Sequence, residues 1–169
     1  MKTETKLKAS KGVFKIGFEI NGEKKEFSAG ANETLLDLLR RSGLRGAKKG
    51  CDSGDCGSCT VLIDGKTALA CLMLAVQAHG RKVTTIEGLG SPADPHPLQT
   101  AFVQAGAVQC GFCIPGMILA TKALLDHNPA PTEAEIRHAL DGNLCRCTGY
   151  VKQVEAVRLA AQALKKQPK

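Results

Sequence analysis

Hydrophobic and polar residues alternate from Phe14 to Ile20, where Phe14, Ile16, Phe18 and Ile20 flank Lys15, Gly17 and Glu19. A period of two predicts a half-buried strand. Asn21-Gly22 follows, a pair suited to a two-residue hairpin because both turn positions need positive φ. Residues 24–29 are the predicted return strand. Asn32 is placed to cap a helix over residues 33–42, with Leu35, Leu36, Leu38 and Leu39 inward and Gly43 as its stop. Residues 60–63 and 67–72 read as a second hairpin about Asp64-Gly65, and residues 83–86 as one more short strand. A small mixed sheet crossed by one helix is a β-grasp pattern.

The period then changes. Residues 88–97 contain two Gly and three Pro and read as a linker. Pro97 is placed to start a helix carrying Leu98, Ala101, Phe102 and Ala105. Pro115 is placed to start another, with Ile118, Leu124 and Leu125 inward, ending before Pro129. Thr132-x-x-Glu135 is a capping box that opens a third helix, closed at Gly142. Val151, Val154, Val157, Ala161 and Leu164 mark a fourth. The predicted class is therefore α+β: an N-terminal β-grasp, plant-type ferredoxin-like domain followed by an all-α four-helix bundle. The expected boundaries are a disordered basic tail over residues 1–11, the β-grasp domain over 12–87, the linker over 88–97 and the bundle over 98–166. No internal repeat is present.

Composition narrows the classes. The chain has 169 residues, 43% of them hydrophobic but only 4% aromatic and none Trp, so the core must be aliphatic. No apolar run reaches the ~18 residues that would span a bilayer, so no membrane span is expected. The opening MKTETKLKASKG has no apolar stretch and does not read as a secretory signal. The expected location is the cytoplasm, where thiols stay reduced. Arg40-Arg41 lies far from the start and reads as solvated surface. The formal charge is +7. The basic residues are scattered and no aromatics interleave with them, so nucleic acid is not an expected partner.

Eight cysteines change the picture most. Cys51, Cys56, Cys59 and Cys71 read C-x4-C-x2-C-x11-C, whose opening is the plant-type ferredoxin spacing. Cys110, Cys113, Cys145 and Cys147 read C-x2-C, a long gap, then C-x-C. Four thiolates complete the ligand set of one [2Fe–2S] cluster, so two sets predict two clusters and a wire for electrons. Gly46, Gly50, Gly54 and Gly57 let the first loop wrap closely and aim N–H groups at the sulfurs. Zinc prefers paired short knuckles and fits this loop poorly. For the second set, zinc remains open by spacing alone. Two oxidised clusters would lower the net charge to about +3. His79, His96, His127 and His138 each lie in a loop or near a helix end and read as surface or capping residues. Tyr150 reads as lining the second site or as packing on the last helix, and Met117 as core filling.

The strings GCDSGDCGSCTVLIDG (50–65), QCGFCIPGM (109–117) and GNLCRCTGY (142–150) resemble the iron–sulfur subunit of the molybdenum hydroxylases, the family of xanthine dehydrogenase, aldehyde oxidoreductase and carbon monoxide dehydrogenase. The resemblance spans residues 12–165. It implies two [2Fe–2S] clusters. The C-terminal one would lie nearer a molybdopterin cofactor held by a large partner subunit, and the N-terminal one nearer a flavin (FAD) subunit of medium size. It places Gln109 and Cys147 beside the pterin. Ile114 stands where the family often has Thr. The resemblance also implies a separate small subunit of a two- or three-subunit, commonly dimerised oxidoreductase complex, carrying electrons and no substrate site. The competing readings are a free-standing two-cluster ferredoxin shuttle and a zinc-binding interaction module.

Overall fold

The computed structural model describes residues 8–10 and 12–166. Six strands form one sheet: β1 (Lys8–Ser10), β2 (Val13–Ile20), β3 (Glu23–Gly30), β4 (Thr60–Ile63), β5 (Lys66–Leu69) and β6 (Lys82–Thr84). β2 is the hub. β3 runs antiparallel along its whole length, with Val13 opposite Gly30 and Ile20 opposite Glu23. On its other edge β1 pairs antiparallel at one end and β6 parallel at the other. β6 then pairs antiparallel with β4, and β4 with β5. Both predicted hairpin turns adopt the left-handed backbone their residues favour: φ is 51° and 87° at Asn21-Gly22, and 50° and 81° at Asp64-Gly65.

Two readings change here. Lys8–Ser10, expected within a disordered tail, form the edge strand β1; residues 1–7 and 11 of that tail lie outside the described residues. The first helix, α1 (Leu35–Arg41), is capped by Thr34 and not by Asn32. The Thr34 hydroxyl accepts the Asp37 N–H at 3.1 Å, while Glu33 turns back to accept the Gly30 N–H at 3.1 Å. Asn32 sits too early in the chain to reach the free N–H groups of the helix. Leu35, Leu36, Leu38 and Leu39 are buried as predicted and join Ile16, Phe18, Ile20, Val61, Ile63 and Val83 in one aliphatic core.

Four helices follow: α2 (Pro97–Gln104), α3 (Ile114–His127), α4 (Glu133–Leu140) and α5 (Val151–Lys166). The Thr132–Glu135 capping box is formed and opens α4. His96 caps α2 through Nδ1, which accepts the Leu98 N–H at 3.2 Å. Burial lowers the His96 pKa, aided by nearby Lys122. A second core gathers Leu98, Phe102, Met117, Ile118, Ile136, Leu140, Val154 and Val157. Ile86 and Leu89 pack against it, although residue 86 was expected in the sheet. Val151 departs from the predicted apolar stripe and is 66% exposed.

The two cores meet where α3 lies on β4 and β5. Asn143, only 3% exposed, donates from Nδ2 to the Gly57 carbonyl at 2.9 Å and to the Thr60 hydroxyl at 3.3 Å. Gly57 has φ +67°, and a Cβ there would stand 1.9 Å from the Gly142 carbonyl oxygen. Only glycine fits both the backbone and the gap.

Two outcomes follow from these contacts. Gly57→Ala must move the Gly142 backbone and hold a strained φ, so it should cost about 2 kcal/mol or more, read as a lower denaturation midpoint. Glu33 accepts N–H bonds from Arg41 and Gly30, which hold its carboxyl below the usual range. That stabilisation is present above the ordinary carboxyl pKa and is lost as pH falls through the depressed value. Glu33→Gln should therefore cost about 1 kcal/mol at pH 7 and close to nothing near pH 2, measured by urea unfolding at both pH values.

Candidate iron–sulfur sites

The first cysteine loop runs from the end of α1 to β4 and is tied down on both flanks. Lys48 N–H bonds the Ser58 carbonyl at 2.9 Å. Arg40, expected as solvated surface, instead donates from Nη1 to the Ala47 carbonyl at 2.9 Å and so pins the loop to α1. The Glu87 carboxylate accepts the Gly46 N–H at 2.6 Å.

Within the loop, three backbone N–H groups converge on the Cys51 sulfur: Ser53 at 3.5 Å, Asp55 at 3.3 Å and Cys56 at 3.3 Å. Donors aimed at one sulfur favour its thiolate. The bonds from Ser53, then those from Cys56, lower the Cys51 pKa to about 6. Cys59 and Cys71 are buried, with their sulfurs 3.4 Å apart. Burial first, and the neighbouring Cys59 second, push Cys71 up to about 11. Two thiolates on one tetrahedral metal, each ~2.3 Å from it, would stand ~3.8 Å apart, so this pair has the spacing of two ligands to one ion. At Gly50 a Cβ would lie 2.7 Å from the Cys56 sulfur, so glycine leaves that sulfur room.

The second site forms where helix ends meet. Cys113 is the residue just before α3, and Cys145 and Cys147 lie in the loop between α4 and α5. Cys145 lies close enough to Cys113, and Cys110 to Cys147, for each to shift its neighbour's pKa. Burial first, then Cys145, push Cys113 up to about 12. Burial opposes ionisation of Cys145 too, but the Thr148 hydroxyl at 3.1 Å and the N–H groups of Cys147 and Thr148 outweigh it and lower its pKa. The Cys110 thiol raises Cys147. Among the described residues, no three His, Cys, Asp or Glu side chains converge on a point that one metal ion could occupy.

All eight cysteines are free thiols, and each is a near neighbour of another member of its own set. The two sites touch. Leu144 N–H, one residue before Cys145, donates to the Cys56 carbonyl at 2.9 Å. Gln109, next to Cys110 in the chain, and Cys147, whose thiol neighbours Cys110, are both exposed. Ile114 is buried among the helices as aliphatic packing.

Three residues around the second site carry more than their sequence context announced. Tyr150 accepts the Cys145 N–H at 2.7 Å and donates to the Asn143 carbonyl at 3.3 Å, with its own φ at +65°. Asn143 bridges the two cores. Gln153, fully buried, donates to the Ala107 carbonyl and the Thr148 hydroxyl, both at 2.9 Å. Asn143 falls inside the GNLCRCTGY string, and the sequence signal for Gln153 is a polar residue interrupting the apolar stripe of the last helix. Of the histidines, His79 accepts the Gly17 N–H at 2.9 Å and His96 caps α2, in keeping with the capping role expected.

Comparison with known proteins agrees with this architecture. Residues 18–78 match the 2Fe-2S iron-sulfur cluster binding domain, and residues 85–158 match the [2Fe-2S] binding domain. The small FeS subunit of nicotinate dehydrogenase from Eubacterium barkeri is 51% identical over 148 residues, covering 87% of this chain and 94% of that protein. The small subunit of nicotine 6-hydroxylase from Paenarthrobacter nicotinovorans is 48% identical over 143 residues, covering 84% and 86%. Among solved structures, quinoline 2-oxidoreductase from Pseudomonas putida 86 superposes with a TM-score of 0.87 at 43% identity, covering 91% of this chain and 97% of that one. The aldehyde oxidoreductase of Desulfovibrio desulfuricans matches equally well, TM-score 0.87 at 44% identity, covering 89% of this chain but 17% of that longer one. With both cluster-binding domains in this order, the chain belongs to the two-cluster iron–sulfur subunits of the molybdenum hydroxylase family, the electron-transfer members of dehydrogenase and oxidoreductase complexes.

Proposed function

We propose that this protein relays single electrons between a large molybdopterin-binding partner and a FAD-binding subunit or external acceptor. Cys51, Cys56, Cys59 and Cys71 hold one cluster, and Cys110, Cys113, Cys145 and Cys147 hold the other. The observation that carries this reading is the Leu144 N–H bond to the Cys56 carbonyl at 2.9 Å. It joins a ligand of the first set to the neighbour of a ligand of the second, with only covalent bonds on either side. A bonded path couples two redox sites better than a gap of the same length.

The clusters supply one-electron storage; the protein supplies position, dryness and charge compensation. Backbone N–H groups around Cys51 offset negative charge on its sulfur. Burial of Cys59, Cys71 and Cys113 keeps water from the inner sulfurs. Exposed Gln109 and Cys147 form the end of the second site that faces the pterin, and the first site faces the flavin partner. Residues 12–87 and 98–166 act as the two cluster domains, joined by 88–97, in a cytoplasmic, dimerised complex.

A shuttle ferredoxin would need a polar docking face. Here Val103, Leu144 and Val151 are 71%, 55% and 66% exposed, with Phe112 and Val108 also partly open. That much uncovered apolar surface favours a chain resting on a larger partner.

Protein prepared without air should hold about four irons per chain and show two distinct EPR species on full reduction. Cys147→Ser should abolish the second species and spare the first, because the two ligand sets come from different segments. Loss of both species would refute the assignment of separate sets, and colourless, iron-free protein would refute the whole reading. Isolation as a stable monomer, without a larger partner, would instead favour the shuttle.

A further inference from the structure

Thr148 and Gln153 form a relay that ends on a sulfur. A carboxamide nitrogen has two hydrogens, and Gln153 Nε2 uses both: one on the Ala107 carbonyl at 2.9 Å, one on the Thr148 hydroxyl oxygen at 2.9 Å. The opposite amide orientation would set Gln153 Oε1 against the Ala107 carbonyl, acceptor against acceptor. Thr148 Oγ1 therefore accepts from Gln153, and its single proton is left for the Cys145 sulfur, 3.1 Å away. This orientation is held at a cost. Gln153 is fully buried, and its Oε1 is a buried oxygen with no hydrogen-bond partner. A buried amide whose donor hydrogens are both used while its acceptor is unpaired calls for a reason on the donor side.

We infer that Gln153 is a positioning residue that locks the Thr148 hydroxyl as a proton donor to Cys145, and that this O–H···S bond raises the reduction potential of the second site. The inference rests on Cys145 being a cluster ligand. When one electron arrives, no bond breaks and the proton stays on Thr148. The bond strengthens as the sulfur becomes more negative, so the reduced form gains more than the oxidised form. The first site is served differently, by three backbone N–H groups on Cys51.

The test is an EPR-monitored redox titration of the intact complex. Thr148→Val should lower the second site's potential so that its reduced-to-oxidised ratio at fixed potential falls about tenfold, equivalent to 59 mV for a one-electron couple. Thr148→Ser keeps the hydroxyl and should restore the original potential. Gln153→Met frees the hydroxyl to turn away and should shift the second site in the same direction, by less. The first site's potential should stay fixed in every variant. A second-site potential unmoved in Gln153→Met overturns the role of Gln153; if that variant does not fold, Gln153→Leu takes its place. Equal shifts in Thr148→Val and Thr148→Ser, or none in either, overturn the inference. Fewer than about four irons in the unmodified chain would instead overturn the ligand assignment beneath it.

Discussion

The contact of two backbones at Gly57 and residues 142–144 is the constraint on which the rest depends. Here the Gly57 carbonyl receives the Asn143 side chain, the Cys56 carbonyl receives the Leu144 N–H, and no Cβ intrudes. Each core could bury its own aliphatic residues without this seam. What the seam adds is registration: it sets the loop carrying Cys51, Cys56 and Cys59 against the loop carrying Cys145 and Cys147. Rigid registration matters more than raw stability, because transfer between two redox sites depends steeply on their separation and connection.

Each site then balances two opposing demands. A sulfur that binds iron must give up its proton, yet the inner sulfurs are buried, and burial raises Cys71 and Cys113 well above the ordinary thiol range. The protein offsets that cost with donors at the other members: N–H groups at Cys51, and the Thr148 hydroxyl with nearby N–H groups at Cys145. Buried and donor-rich sulfurs thus share each site, which suits a group that must stay dry yet carry negative charge.

The framework around the sites uses ordinary helix and turn chemistry for a specific purpose. Arg40 at the end of α1 and Glu87 beyond β6 each bond the backbone of the first loop from outside. Tyr150 closes the second loop on itself just before α5 begins. Neither loop needs a regular ladder, because side chains from neighbouring elements satisfy its polar groups.

Much of this was determined by the sequence alone. The Asn-Gly and Asp-Gly turns, the Pro97 and Pro115 helix starts and the Thr132–Glu135 capping box are local signals, each set by a few adjacent residues, and each holds in the folded chain. The tertiary structure decided what depends on distant partners. Thr34 displaced Asn32 as the cap because the helix begins later once its leucines meet the sheet. Val151 fell outside the apolar stripe because the first turn of α5 turns Gln153 and Val154 inward and leaves Val151 on the outer side. Asn143 reaches partners 86 and 83 residues away, and Gln153 reaches one 46 residues away. Sequence periodicity reports which face of an element is apolar; it carries no record of which carbonyl a buried amide will meet, because that is set by how distant elements come to rest on one another.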